Sequence, residues 1–236
     1  QQPQASPARQ GVLDGRRVWR APLLGDDRIF LRSDPEPQPG FSVDLLLDGS
    51  ASRLHCQEII AAQGFLLAKS LAACGIPVRV SSFCSLRGYT VLRILKDFPD
   101  RNAERKIFDY FAAGWTRDGL ALRGMAPLLR DAPAEKRRLL LLTDASPNDS
   151  HKIPPSDRVP LSRDYDGPAA VQDTAAQVRT LRQRGVRVAA IFMGESASFP
   201  DARTIYGRDL VRIRRMDELA GAAGKLIQQE IAELSD

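Results

Sequence analysis

The chain has 236 residues, 43% of them hydrophobic and 27% charged, which suits one large globular domain with an extension and excludes a disordered polymer or two sizeable cores. No uncharged stretch approaches the roughly 20 apolar residues of a membrane span, and nothing in the first thirty residues resembles a secretory signal. The net charge of +5, from 34 basic and 29 acidic residues, is too modest to define a nucleic-acid-binding protein by itself.

In chain order, residues 1–40 read as a Pro/Gln-rich tail and linker. Gln, Pro, Ala and Ser dominate up to about Gln10, and Ser33–Gly40 reads S-D-P-E-P-Q-P-G, neither of which propagates helix or a central strand. Between them Arg28–Arg32 (R-I-F-L-R) is compatible with a short strand. Residues 41–236 read as the domain proper. Val43–Leu47 predicts a buried strand, and Leu54–Ala73 a helix with an apolar stripe through Ile59, Ile60, Leu66, Leu67 and Leu71 that stops at Gly75 before Pro77. Val78–Cys84 and Thr90–Leu95 predict two strands joined by S-L-R-G-Y, hence a hairpin and one antiparallel edge. Helices are expected near Ala103–Ala112 and from Gly119 to Leu129, on either side of a polar turn at Gly114–Asp118. Leu139–Leu142 predicts a fourth buried strand, and Thr143-Asp144 opens a long Pro-rich polar loop reaching Pro168, of a length usually functional or disordered. A helix over Ala169–Arg184, a strand over Val186–Phe192, a short helix at Asp201–Tyr206, a strand at Leu210–Ile213 and a C-terminal helix over Asp217–Leu234 complete the chain. This alternation predicts an α/β, Rossmann-like, doubly wound fold: a mostly parallel six-stranded sheet with one antiparallel edge strand and helices on both faces.

Three cysteines, Cys56, Cys74 and Cys84, are odd in number and lack C-x-x-C spacing. They argue against a disulfide framework or thiolate metal site, point to a reducing, cytoplasmic compartment and read as small core residues. His55 and His151 are the only histidines, too few and too far apart for imidazole-based zinc chemistry; His55 reads as a partly exposed structural residue. In open α/β sheets ligand sites lie beyond the carboxyl ends of the strands. That singles out D-G-S-A-S at Asp48–Ser52, Thr116 in the polar turn, and Asp144 at the end of the fourth strand. Asp48, Ser50 and Ser52 alternate along an extended loop, so their side chains can converge. With Thr116 and Asp144 they form a set of hard oxygen donors, which selects Mg2+, with Mn2+ or Ca2+ as substitutes, over zinc or copper. Two carboxylates among neutral hydroxyls leave such an ion electrophilic, and an exposed vertex can take a carboxylate from another protein.

On these residues the sequence resembles the von Willebrand factor type A family, whose metal-ion-dependent adhesion site is a D-x-S-x-S loop, a distant Thr and an Asp after the fourth strand. Asp48, Ser50, Ser52, Thr116 and Asp144 match those positions in order, over about Phe41 to Leu234. F-D-Y-F-A-A-G-W-T-R-D-G-L-A-L-R, L-L-T-D-A-S-P-N-D and V-Q-D-T-A-A-Q-V-R-T-L-R-Q-R-G-V-R-V look more narrowly like the bacterial branch of nitric oxide reductase activation proteins and cobalt chelatase type A subunits. The resemblance implies a non-catalytic, Mg2+-dependent docking domain that takes an Asp or Glu from a partner and works with a MoxR- or chelatase-type AAA+ ATPase in metal insertion or metalloenzyme maturation. Ala145 departs from the pattern, since many relatives carry Gly after the metal-site Asp.

Other readings compete. A phosphatase-like hydrolase using Asp48 would want a second Asp at position 50 and a nearby Lys, but position 50 is Ser and none of the six lysines adjoins these loops. A serine hydrolase at Ser50 lacks G-x-S-x-G, and no P-loop motif is present. Ser50, Ser52 and Thr116 are also compatible with helix caps, Asp118 reads as a cap rather than a ligand, and Asp149 and Asp166 read as surface charges. The window from Ala175 to Lys225 carries ten basic against five acidic residues. Without interleaved aromatic residues it suits solvated helix faces or a protein-docking face better than a nucleic-acid scaffold.

Overall fold

A computed structural model describes residues 5–8, 12–16, 20–27, 30–33, 40–100, 103–157, 159–215, 218 and 221–225. The chain divides into two compact units, 1–38 and 39–236. In the first unit, strand β1 (Ala5–Ala8), strand β2 (Val12–Leu13), helix α1 (Arg20–Leu24) and strand β3 (Phe30–Ser33) follow in order. Both β1 and β2 pair antiparallel with β3. The stretch expected to be a tail thus supplies a strand; Pro7 is tolerated because β1 lies at the edge of its sheet, where a missing N–H breaks no inner ladder.

The second unit begins with strand β4 (Phe41–Asp48), all eight residues of which are buried. That pattern belongs to a strand covered on both faces rather than to an alternating, half-solvated one. A 3-10 segment (Ala51–Cys56) leads into helix α2 (Gln57–Ala73), so the α-helix proper starts three residues later than the periodicity predicts. Gly75 closes it with φ of +73°, a left-handed conformation open to glycine. Strands β5 (Val78–Leu86) and β6 (Tyr89–Lys96) form the expected hairpin. Its two-residue turn, Arg87-Gly88, has φ of 50° and 85°, the combination that matches the twist of the flanking strands.

A helix expected over Ala103–Ala112 is only a 3-10 turn at Glu104–Asp109. The following peptides are claimed elsewhere: Ala112 N–H donates to Gln57 Oε1 at 3.2 Å and Ala113 N–H to the Gly49 carbonyl at 2.7 Å, so the chain peels away instead of continuing as helix. Helix α3 (Asp118–Arg130) and strand β7 (Lys136–Thr143) come next. The Pro-rich loop is not featureless, for strands β8 (Asp149–Ile153) and β9 (Arg163–Tyr165) pair antiparallel within it. Helix α4 (Gly167–Gln183), strand β10 (Val186–Phe192), helix α5 (Phe199–Tyr206) and strand β11 (Leu210–Arg212) complete the described order. Residues 221–225 are helical; the rest of the predicted C-terminal helix lies largely outside the described residues.

The main sheet runs β11-β10-β7-β4-β5-β6, parallel throughout except for β6 at one edge. Successive residues of the central strands face opposite sides. Val43, Leu45, Leu47, Leu140 and Leu142 join one core with α2, and Leu46, Leu139 and Leu141 join another with α3, α4 and α5. This two-sided burial is the doubly wound arrangement, and it brings the carboxyl ends of β4 and β7 side by side, with Leu47 in register with Leu142. Cys56 and Cys84 are buried as expected, but Cys74 is exposed just beyond α2.

Candidate metal centre

Asp48 ends β4 and Asp144 follows β7 directly, so the pairing of these two central strands sets both carboxylates at one rim of the sheet. Beyond Asp48 the chain has to turn sharply under its neighbours. Gly49 donates its N–H to the Phe83 carbonyl at 2.8 Å, and a Cβ at position 49 would meet that carbonyl oxygen at 2.8 Å and the Phe111 carbonyl oxygen at 3.4 Å. Only glycine fits there. Tyr110 adds a clamp, donating its hydroxyl to the Asp48 carbonyl at 2.6 Å.

The loop then folds its side chains together. Asp48 Oδ1 accepts the Ser50 N–H at 2.8 Å, the Ser50 and Ser52 hydroxyls are 2.7 Å apart, and the Ser52 hydroxyl donates to Asp144 Oδ2 at 2.8 Å. The second oxygen of Asp48 accepts the Thr143 hydroxyl and the Asp144 N–H, each at 3.4 Å. Four of the five sequence-predicted residues are therefore joined by hydrogen bonds. Thr116 is held by a different route: its N–H and carbonyl pair with Asn148, four residues past Asp144, at 3.0 and 2.9 Å, and it is buried. Neither Ser50 nor Arg117, the residues at the helix-cap positions, makes a side-chain cap bond, so capping does not account for this loop.

Two residues outside the predicted set complete the cluster. Arg53, on the 3-10 segment, donates Nη2 to Asp144 Oδ2 at 2.7 Å, Nη1 to the Met193 carbonyl at 3.0 Å and Nε to the Ser52 hydroxyl at 3.3 Å. Its signal in the sequence is slight. A cation near the start of a helix opposes the backbone dipole and wants an anion. Asp118 reads as a cap, but it is the first residue of α3, only 1% exposed, and its Oδ1 has no hydrogen-bond partner. Asp149 also corrects expectation, since its side chain is 2% exposed and lies 3.6 Å from Arg117 Nη1; Asp166 is exposed as predicted. His55 is exposed.

Electrostatics describe a site short of positive charge. Burial first, and the Asp144 charge second, push the Asp48 carboxyl up to about 6. Burial and then the charges of Asp48 and Asp144 push Asp118 well above the ordinary carboxylate range. Against these carboxyl groups stands the single guanidinium of Arg53. An additional cation would relieve both the crowding and the orphaned oxygen, and the donors on hand are hard oxygens. Among the described residues no group of three or more His, Cys, Asp or Glu side chains is arranged to hold a metal ion, so any ion here would depend on the serine and threonine hydroxyls beside the carboxylates. Ala145, next to Asp144, has φ of 51° and is fully buried, a left-handed conformation that glycine adopts without strain and alanine does not.

A six-stranded sheet of this order, with a D-x-S-x-S loop and an Asp meeting at its carboxyl rim, makes the chain by fold a von Willebrand factor type A domain. Solved structures share that fold: the PilB minor pilin of Streptococcus sanguinis (TM-score 0.63, 18% identity, 87% of this chain and 66% of that one); the vWF domain of the pilus tip protein Mfa5 of Porphyromonas gingivalis (0.59, 13%, 84% and 97%); and manganese-loaded TRAP protein of Plasmodium vivax (0.56, 21%, 80% and 74%). The sequence relatives are narrower. Protein NorD of Brucella abortus (strain 2308) is 29% identical over 184 residues, covering 74% of this chain and 27% of NorD, and an uncharacterised Pseudomonas aeruginosa protein is 30% identical over 125 residues, covering 51% and 18%. The NorD relatives fit the bacterial branch that the sequence resembles. The chain spans about a quarter of the length of the NorD protein it matches. No protein-family profile matches it. No helix among the described residues is long and apolar enough to cross a membrane.

Proposed function

We propose that this domain is a non-catalytic, metal-dependent docking module. Asp48, Ser50, Ser52, Thr116 and Asp144 would hold a Mg2+ ion, with Mn2+ or Ca2+ as substitutes, and an Asp or Glu of a partner protein would complete its shell. The observation that carries this reading is the hydrogen-bonded convergence of Asp48, Ser50, Ser52 and Asp144 from two separate loops. When bound, the ion would supply an electrophilic point at the rim. The chain's own part is to fix the donors: Tyr110 and Gly49 hold the loop, Ser52 and Arg53 orient Asp144, and the Thr116–Asn148 pairing ties the third loop to the second.

The resemblance to nitric oxide reductase activation proteins and chelatase subunits, together with the NorD relatives, supports a further reading. In it the docked protein is a client metalloenzyme or a MoxR-type AAA+ ATPase, and the longer polypeptide acts in metal insertion or maturation. Hydrolysis at Asp48 has less support, because that carboxylate is 2% exposed and both its oxygens accept hydrogen bonds. A nucleic-acid scaffold also has less support, since Arg182 is paired with Asp209 at 2.9 Å and Arg212 packs over Phe199. Calorimetric titration with Mg2+ and Mn2+ tests the proposal. Binding lost in Asp48→Asn and Ser50→Ala, with folding retained and no phosphoester turnover, is expected. Steady turnover abolished by Asp48→Asn would overturn it.

A further inference from the structure

Immediately beside the metal loop lies a cavity of about 330 Å³ whose walls include Arg53, His55, Glu195, Arg212, Arg214 and Arg215. It is continuous with the cleft over the candidate ligands, since Arg53, His55, Met193, Gly194 and Glu195 line both, and that cleft also contains Ser52 and Asp144. Arg53 is committed to Asp144. Arg212 is held in place rather than swinging free, because its guanidinium packs over the Phe199 ring at 5.0 Å and donates to the Ser196 hydroxyl at 2.6 Å. Among the described residues Glu195 is the one acidic side chain in the cavity wall, and the Glu218 carboxylate accepts the Arg214 N–H at 2.9 Å. A fixed arginine with others grouped around it presents several donors for a planar carboxylate.

We propose that this arginine-lined cavity is a second anion subsite, so that the partner segment recognised here carries two carboxylates: one for the metal and one for the Arg212/Arg214 cavity. The inference rests on the docking role proposed above and deepens it. It specifies an acidic protein segment, not merely an acidic residue, and gives the surplus of arginine near the C-terminus of the domain a task. A lone carboxylate would occupy the metal and leave the cavity to water. A segment with a second acidic residue would span both, the second contact forming at high effective concentration once the first is made. Nucleic acid is the weaker candidate, because among the described residues no aromatic ring lines the cavity for a base to stack on.

Synthetic Gly/Ser peptides carrying one Asp, or two Asp separated by about one to five residues (roughly 7–20 Å of extended chain), test this with the whole chain in Mg2+ and about 0.1 M salt. Affinities are read by fluorescence anisotropy. At its best spacing a two-Asp peptide is expected to bind about five- to tenfold more tightly than the one-Asp peptide, the scale of one charge-assisted contact. Arg212→Gln/Arg214→Gln should erase that preference while leaving Mg2+ affinity and one-Asp binding unchanged; Arg214→Gln alone, with less packing to disturb, should reduce it. No preference at any spacing, no measurable binding of either peptide, a preference that survives both variants, or tighter binding of a short oligothymidylate would overturn the proposal. EDTA separates the two readings. If chelation leaves one-Asp binding untouched the metal role fails, whereas a two-Asp preference that persists in EDTA and disappears in the arginine variants supports the cavity even where the metal role has failed.

Discussion

Replacing Asp48 by Asn should make the metal-free domain more stable and the metal-loaded domain unattainable. The carboxyl sits at about 6 instead of 3.8, chiefly through burial and then through the Asp144 charge. At about 1.4 kcal/mol per pH unit, its ionised form carries up to roughly 3 kcal/mol of unfavourable free energy. Asp144 and Arg53 share that balance, so about 1–3 kcal/mol should be recovered by a neutral amide. Asn retains an acceptor for the Ser50 N–H that Asp48 Oδ1 now takes at 2.8 Å; its NH2 replaces the oxygen that accepts the Thr143 hydroxyl and the Asp144 N–H, each at 3.4 Å, and losing those two long contacts sets the gain toward the lower end of that range. For a chain of this size, at roughly 2–4 °C per kcal/mol, such a gain raises the melting temperature by about 2–12 °C. The sign with pH is fixed by the direction of the shift. Below about pH 4 the aspartate is protonated both folded and unfolded, and the variant has no advantage. Between about 4 and 6 the unfolded chain ionises while the folded one resists, and the advantage grows; above about 6 it is complete. Thermal unfolding followed by circular dichroism in EDTA, from pH 4 to 8, measures this difference. In Mg2+ at a hundredfold excess over its dissociation constant, wild type should gain about 2.7 kcal/mol and the variant nothing. An Asn variant that melts below wild type at pH 8 in EDTA, or that is still stabilised by Mg2+, would refute the argument.

The same displaced titration makes metal affinity depend on pH, because ligands must be deprotonated to coordinate. With Asp48 at about 6, Mg2+ or Mn2+ affinity should fall roughly tenfold between pH 7 and pH 5, as calorimetry at the two pH values will show; equal affinities would place the ion elsewhere. Arg53→Met removes the counter-charge that Asp144 holds at 2.7 Å in a nearly buried setting. It should cost about 3 kcal/mol in EDTA, the scale of breaking a buried pair, and clearly less in saturating Mg2+; a penalty identical in both media would show that no cation shares the Asp144 charge.

The fold is legible in the sequence because its central strands are almost purely apolar and its helices bury one face, although in α2 only Ile60, Leu67 and Leu71 of the predicted stripe are buried and Ile59 and Leu66 are exposed. Val186–Phe192 agrees end to end with its prediction, and the β5–β6 hairpin forms around S-L-R-G-Y between two apolar runs as expected. Reading fails where hydrogen bonds from distant residues decide. The helix expected after Ala103 gives way because Gln57 and Gly49 capture its peptides. The loop after Asp144 gains β8 and β9 through pairing that its prolines conceal, and Ala5–Ala8 becomes a strand because Phe30–Ser33 is there to meet it. At the rim, the spacing of Asp48, Ser50 and Ser52 carries its own geometry. Arg53 and Asp118 do not, since what marks them is burial beside carboxylates from other loops, a property of the folded chain.

Burial of Arg53 also bears on how the site would treat an outside carboxylate. Were Asp48 and Asp144 both free to place their full charge on a divalent cation, the ion would be neutralised and would have little attraction left for a third anion. Arg53 draws on one oxygen of Asp144, and the Ser52 hydroxyl donates to that same oxygen. Burial, and then the charges of Asp48 and Asp144, push Asp118 well above the ordinary carboxylate range. The ligand charge reaching the ion would then be less than two, and the surplus positive charge would face solvent at the mouth of the arginine-lined cavity. Arg53 thus joins the two halves of the proposed recognition surface. It would weaken the hold of the domain's own carboxylates on a bound ion, and it lines the wall against which a second acidic residue would be received.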